Sequence, residues 1–138
     1  MNIRPMTIED TKTMRIDEDY RDVLQSYVEN CPDLTRMGEI DGKPIFACGI
    51  NIFWKGVAEG WVQVFDESHA ISIVRAFRKI IAEEIAKFNL HRLQSTVRAD
   101  DIRTLKLHKH LGFIYECTKS EFYPDKTDAI ILRYKDEH

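Results

Sequence analysis

The spacing of apolar positions along the 138-residue chain changes period several times, and each period names an element. Ile3, Arg4 and Pro5 predict a short edge strand, because proline lacks the N–H that a central strand needs. Thr7 followed by Asp10 is a helix-start signal. Tyr20, Val23, Leu24, Tyr27 and Val28 recur at helical spacing until Asn30, Cys31 and Pro32 interrupt them, which predicts a helix from about Asp17 to Glu29. Period two then takes over. Leu34 to Ile40 and Pro44 to Phe53 read as strands joined by the hairpin signal Asp41-Gly42. After a turn at Lys55-Gly56, Val57 to Phe65 makes another strand. Val57, Glu59, Trp61, Gln63 and Phe65 lie on one face of it, with Ala58, Gly60, Val62 and Val64 on the other. Gly60 offers no side chain, so it marks a bulge or the close approach of another group.

The clearest helix follows. Ala70, Ile71, Ile73, Val74, Phe77, Ile80, Ile81, Ile85 and Phe88 form one apolar stripe, with Arg75, Arg78, Lys79, Glu83 and Glu84 mostly outside it. Asp66 or Ser68 is placed to cap its start, and Asn89 to end it in the left-handed conformation. Arg92 to Arg98 alternates as a strand. Asp100 or Asp101 then caps a helix with apolar positions at Ile102, Leu105 and Leu111, closed by Gly112. Phe113 to Tyr123, the turn Pro124-Asp125-Lys126 and Asp128 to Tyr134 predict a closing hairpin. An antiparallel first half followed by strand–helix–strand–helix–strand–strand predicts an α+β domain over residues 1–138, a mixed, mostly antiparallel sheet with helices on its faces.

Composition narrows the function classes. A net charge of −3 with no basic cluster argues against a nucleic-acid partner. Apolar residues at 43% and charged ones at 31% suit a globular chain. No apolar run approaches the roughly 20 residues that span a bilayer, and Met1 to Met14 lacks the apolar core of a signal peptide. Cys31, Cys48 and Cys117 are odd in number and far apart, which predicts free thiols in a reducing compartment and a place of action that is cytoplasmic, or wherever a carrier particle takes a cytoplasmically made protein. In strands, Cys48 and Cys117 read as small core residues. Trp54, Trp61, Phe53 and Phe65 lie on neighbouring strands and read as core, with a partner surface as the alternative.

The six glycines all fall outside residues 61 to 111, which removes a GxGxxG fingerprint or a P-loop. His108 and His110 stand two apart on a helix and point in different directions, so they do not share a metal. His110 reads as a surface residue.

The run Val97-Arg98-Ala99-Asp100-Asp101-Ile102-Arg103-Thr104-Leu105-Lys106-Leu107-His108-Lys109-His110-Leu111-Gly112-Phe113 resembles the segment after the fifth strand of GNAT (GCN5-related) N-acetyltransferases. Tyr115-Glu116 through Phe122-Tyr123-Pro124-Asp125-Lys126 to Ile131-Leu132-Arg133-Tyr134 is similar to that family's closing hairpin. Ile3-Arg4-Pro5-Met6-Thr7-Ile8-Glu9-Asp10 is similar to its opening. The resemblance implies a GNAT-like fold, acetyl-CoA as cofactor, and acetyl transfer to a small-molecule or protein amine. Glu59 then stands where the fourth strand supplies a general base, the alternative being a solvated strand glutamate. His108 holds the helix position of the family's tyrosine and is expected as the acid, the alternative being an exposed helix residue. Val62 and Val64 are expected along the pantetheine arm. Asp66, Glu67, Ser68, His69 and Ala70 occupy the pyrophosphate loop, and Asp101 completes the expected cofactor contacts. That loop departs from the family pattern, with two carboxylates and no glycine where bare N–H groups cradle phosphates.

A looser resemblance joins the chain to small GNAT-like proteins of tailed bacteriophages, including an internal virion protein. It rests on Trp61-Val62-Gln63-Val64-Phe65-Asp66-Glu67, Phe77-Arg78-Lys79-Ile80-Ile81 and the Gly112 hairpin. It implies a virion-associated or host-interaction role, with a virion partner or a homodimer, in place of acyl transfer.

Overall fold

A computed structural model describes residues 1–16 and 18–135. In chain order it contains β1 (Asn2–Pro5), α1 (Ile8–Lys12), α2 (Glu18–Asn30), β2 (Thr35–Ile40), β3 (Lys43–Trp54) and β4 (Val57–Val64). These are followed by α3 (Ala70–Phe88), β5 (Arg92–Arg98), α4 (Ile102–Leu111), β6 (Phe113–Lys119) and β7 (Ala129–Tyr134). Short 3₁₀ turns sit at Pro32–Leu34 and Glu67–His69. The strands form one sheet in the order β1-β2-β3-β4-β5-β7-β6. β4 and β5 are parallel, whereas β1–β2, β2–β3, β5–β7 and β6–β7 are antiparallel. The mixed α+β architecture expected from the sequence is therefore present. The predicted start of α2 at Asp17 lies outside the described residues.

The chain divides into two compact units, Met1–Ile50 with Val62–His69, and Asn51–Trp61 with Ala70–His138. In the first, Thr7 and Asp10 form a reciprocal capping box that starts α1, the Thr7 amide donating to Asp10 Oδ2 at 2.7 Å. Arg4 holds the same carboxylate with two hydrogen bonds, at 2.7 and 2.9 Å. Asp41 (φ 51°) and Gly42 (φ 77°) both take the left-handed region, as a two-residue hairpin turn requires. Met37, Ile45, Phe46 and Ala47 form the centre of this core. Gly38 lies opposite Phe46 in the β2–β3 register, and a Cβ there would fall 2.2 Å from the Phe46 ring.

In the second unit, α3 buries Ile73, Ala76, Phe77 and Ile80. The expected stripe needs two corrections: Ile71 is exposed, and Glu84, placed outside the stripe, is buried. Helical periodicity locates a face to within about a residue, and neighbouring elements decide which flanking positions are covered. Ile102 of α4 is exposed as well. Asn89 does adopt the left-handed conformation (φ 50°), as does Gly112 (φ 102°) at the end of α4. β6 is shorter than the predicted Phe113–Tyr123 strand. It stops at Lys119, and Glu121 (φ 50°) and Lys126 (φ 69°) turn the connecting loop. As an edge strand it leaves Cys117 exposed, which overturns the core reading there, whereas Cys48 is buried. Phe53 and Trp54 are also largely exposed, against the core reading. Among the described residues no helix is long and apolar enough to cross a membrane, and no group of three or more His, Cys, Asp or Glu gathers as a metal site.

Candidate active site around Glu59 and His108

β4 and β5 pair over Val57–Gly60 and Arg92–Ser95, and Gly60 opposite Ser95 is the last of these pairs. Glu59 faces away from the buried Leu93, Ser95 and Val97 row of β5, because paired residues share a face and successive ones alternate. On its side it meets two polar neighbours from β5. Thr96 Oγ1 donates to Glu59 Oε1 at 2.5 Å, and Gln94 Nε2 donates to the same oxygen at 3.3 Å. Oε2 takes no hydrogen bond among the described residues. The carboxylate is therefore oriented through one oxygen. Tyr123 belongs to these surroundings: burial pushes its hydroxyl above the ordinary range and the Glu59 charge acts in the same direction. The Arg98 guanidinium lies 4.9 Å from its ring centroid.

His108 lies on the opposite side of β5. Its Nε2 is 2.8 Å from Ser95 Oγ and its Nδ1 is 2.8 Å from the Thr104 carbonyl. Since Ser95 and Thr96 are consecutive strand residues, Ser95 carries His108 on one face and Thr96 holds Glu59 on the other. The structure does not bring the two expected catalytic side chains into contact. His108 is also buried, at 4% exposure, so the exposed-residue alternative is overturned. A carbonyl can only accept, so Nδ1 carries the ring proton. Burial holds the His108 pKa below its ordinary value, and the neutral ring then accepts a hydrogen bond from the Ser95 hydroxyl at Nε2. In this tautomer Nε2 faces Ser95 as a hydrogen-bond acceptor and carries no proton.

Asp101 caps α4. Its Oδ1 accepts from the Thr104 amide at 3.1 Å and its Oδ2 from the Thr104 hydroxyl at 2.7 Å. A chain of contacts thus runs from Asp101 through Thr104 and His108 to Ser95.

The expected phosphate loop forms a cluster of its own. Asp66 Oδ1 accepts from the Ser68 amide at 3.0 Å and from the Ser68 hydroxyl at 2.6 Å. Lys43 Nζ lies 3.3 Å and His69 Nε2 3.8 Å from Asp66 Oδ2. The two hydrogen bonds from Ser68 bring the Asp66 pKa down to about 2, so it is fully charged at neutral pH. The amides of Phe65 and Asp66 both donate to the Ile45 carbonyl, at 2.8 and 3.3 Å. Glu67, Ser68 and Ala70 are exposed, and Val62 and Val64 are half-buried. A groove of about 1140 Å³ in the second unit, lined by Arg78, Leu105, Lys109 and Tyr134 among others, contains none of the expected site residues.

Sequence reasoning missed Ser95, Gln94, Thr96 and Tyr123. One signal was available: Ser95 is a polar residue between Leu93 and Val97 on an otherwise apolar strand face, and burying such a hydroxyl costs free energy unless it is bonded.

No family model matches the sequence, and no curated protein matches it. Solved structures do. Ard1 from Thermoplasma volcanium superposes with a TM-score of 0.81 at 13% identity, covering 98% of both chains. A ribosomal-protein-alanine N-acetyltransferase from Brucella melitensis gives 0.73 at 16% identity, over 96% of this chain and 98% of that one. The yncA protein from Salmonella typhimurium, solved with its cofactor acetyl-CoA, gives 0.74 at 14% identity over 99% and 95%. Likeness at such identities speaks to fold and not to chemistry. The sheet order, the parallel β4–β5 pair and these superpositions agree: the chain has the GNAT acyl-CoA N-acyltransferase fold.

Proposed function

We propose that the protein transfers an acetyl group to an amine, with Glu59 as the group that receives the amine proton. The observation that carries this reading is the placement of Glu59 beside the last β4–β5 pair, oriented through Oε1 by Thr96 and Gln94 while Oε2 stays available. A carboxylate fixed in this way meets the geometric requirement on a general base, which is hydrogen-bond reach to the proton it takes. The superposed yncA structure, which holds acetyl-CoA, supports a CoA thioester as the donor class.

The Phe65–Ala70 loop does not fit the diphosphate of that donor. Phosphate cradles need unoccupied N–H groups at a helix start. Here Asp66 takes the Ser68 amide and sets a full negative charge in the loop, with the Lys43 ammonium 3.3 Å from its other oxygen. Donor binding through this loop is accordingly expected to be weak.

The same loop favours a second reading, in which the fold is kept without the chemistry, as in a virion-associated or host-interaction protein. Calorimetry with acetyl-CoA, paired with mass-spectrometric acetylation of a polyamine and peptide panel, separates the two. Amine acetylation that Glu59→Gln removes supports the transferase. Absence of both binding and acetylation at millimolar cofactor leaves the second reading.

A further inference from the structure

The groove beside α4 ends at an open sheet edge. β6 is the last strand in the sheet order, with β7 as its neighbour. The Lys135 amide donates to the Gly112 carbonyl at 3.0 Å, and Phe113, Ile114 and Tyr115 continue that register against Tyr134, Arg133 and Leu132. Main-chain groups alternate in an antiparallel pair. Those of Ile114 therefore turn to β7, and those of Phe113 and Tyr115 turn outward, where the sheet order places no further strand. The side chains of the same two residues lie on the α4 face, since the Phe113 and His108 ring centroids are 4.9 Å apart. Beyond Tyr115 a bulge breaks the ladder before Cys117, and Lys119 closes the strand, two devices that discourage pairing. The stretch beside the groove has neither.

Along this face the groove has an apolar floor and a basic rim. Phe113 and Leu132 are buried beneath it, and Tyr115 beside them is 62% exposed. Its chargeable lining, tyrosines apart, is Arg78, Lys109, His110 and Lys135, with no carboxylate, on a chain whose net charge is −3. Arg78 is held there by donating to the His110 carbonyl at 3.2 Å. At about 1140 Å³ the groove exceeds the roughly 300–1,000 Å³ of a compact ligand's pocket, which suits a length of chain. Two copies of this protein meeting through the face would set like charges against each other. Size, edge and charge together favour an acidic partner in extended form.

We propose that this edge takes an extended acidic peptide as an added strand beside β6. Main-chain hydrogen bonds to Phe113 and Tyr115 hold it, and apolar side chains opposite those residues fill the groove. Carboxylates two positions away on the same face meet the basic rim. Affinity then comes from the backbone and selectivity from alternate side chains, the division of labour in strand addition. The surface lies on the α4 face of the sheet and Glu59 on the other, so it is independent of the acetyl transfer proposed above.

The test titrates the full chain with the peptide acetyl-Glu-Thr-Leu-Thr-Leu-Thr-Glu-amide, whose glutamates and leucines share one face in a strand. The same peptide with lysine in place of glutamate is the control. The expected result is saturable calorimetric binding of the acidic peptide alone, with slower hydrogen exchange at the Phe113 and Tyr115 amides. Added salt should weaken it, because the rim is exposed. Lys109→Glu, a change at an exposed position, should weaken the acidic peptide by about tenfold and let the lysine peptide bind, a swap that an unfolded variant does not produce. Silence of the acidic peptide at millimolar concentration overturns the proposal, and so does equal binding of the lysine peptide. Binding without protection of those amides, or with Lys109→Glu at wild-type affinity, overturns it too. Dodecanoate bound where the peptide is silent assigns the groove to a small amphiphile instead. Amine acetylation from acetyl-CoA, measured on the same protein, reports on the Glu59 reading separately, and its absence leaves the peptide result standing.

Discussion

At the scale of single residues, the half-buried Glu59 and the buried His108 each carry a prediction. Glu59→Gln keeps the shape of the side chain and removes the proton acceptor, so amine acetylation should fall by about 10²- to 10⁴-fold. The thermal midpoint should stay close to wild type, because Gln can still accept from Thr96. Turnover assays beside a melting curve check both halves. His108 supplies a stability prediction whose sign follows from linkage. Its folded-state pKa is depressed by burial, so below the unfolded value of about 6.5 the unfolded chain binds a proton that the folded chain resists. Stability from this residue is therefore complete above about pH 6.5 and is lost as the pH falls from there through the folded-state value. Urea unfolding across that range should show the slope in wild-type protein and a flatter profile in His108→Gln. An identical slope in the variant would assign the effect elsewhere.

At the scale of elements, the 65–70 loop and the β2–β3 ladder make opposite points about side-chain volume. Asp66→Gly removes the carboxylate that holds the Ser68 amide and gives the loop a glycine. Binding of ADP, used as a diphosphate probe, should tighten by roughly tenfold or more, since a charge-assisted hydrogen bond is worth about 1.5–3 kcal/mol. Calorimetry reads this directly, and unchanged affinity would show that Asp66 is not what blocks the loop. In β2 the space is already filled. Gly38→Ala puts a Cβ against the Phe46 ring, which is fully buried and cannot swing into solvent. Overpacking of this kind costs about 1–3 kcal/mol, measurable as a lower urea midpoint.

At the scale of the whole molecule, the three cysteines sample three degrees of shelter. Cys117 on the edge strand β6 is exposed, Cys31 is half-buried and Cys48 in β3 is buried. Iodoacetamide should modify Cys117 promptly in native buffer and Cys48 only at the rate of global opening. Mass spectrometry over time separates the two phases. Modification of Cys48 as fast as Cys117 would contradict the core described for β3.

Much of the fold was legible before any coordinates, for a short-range reason. Periods of two and 3.6, the Thr7–Asp10 box, the Asp41-Gly42 turn and the Asn89 and Gly112 helix ends depend on residues a few positions apart. The sequence by itself therefore determined the order of elements, the α+β class and the face of β4 that Glu59 shares with Val57, Trp61 and Gln63. It did not determine who partners whom. Glu59 and Thr96 are 37 residues apart, and His108 meets Ser95 only because α4 packs back on β5. Such contacts carry no local pattern, so from the sequence His108 reads either as an acid or as an exposed helix residue. The tertiary structure decided that it is a buried imidazole bonded to Ser95 and Thr104, that Cys117 is exposed at a sheet edge, and that Asp66 turns its carboxylate onto the Ser68 amide. In each case the deciding factor is burial or a hydrogen-bond partner, which folding supplies and a linear chain does not show.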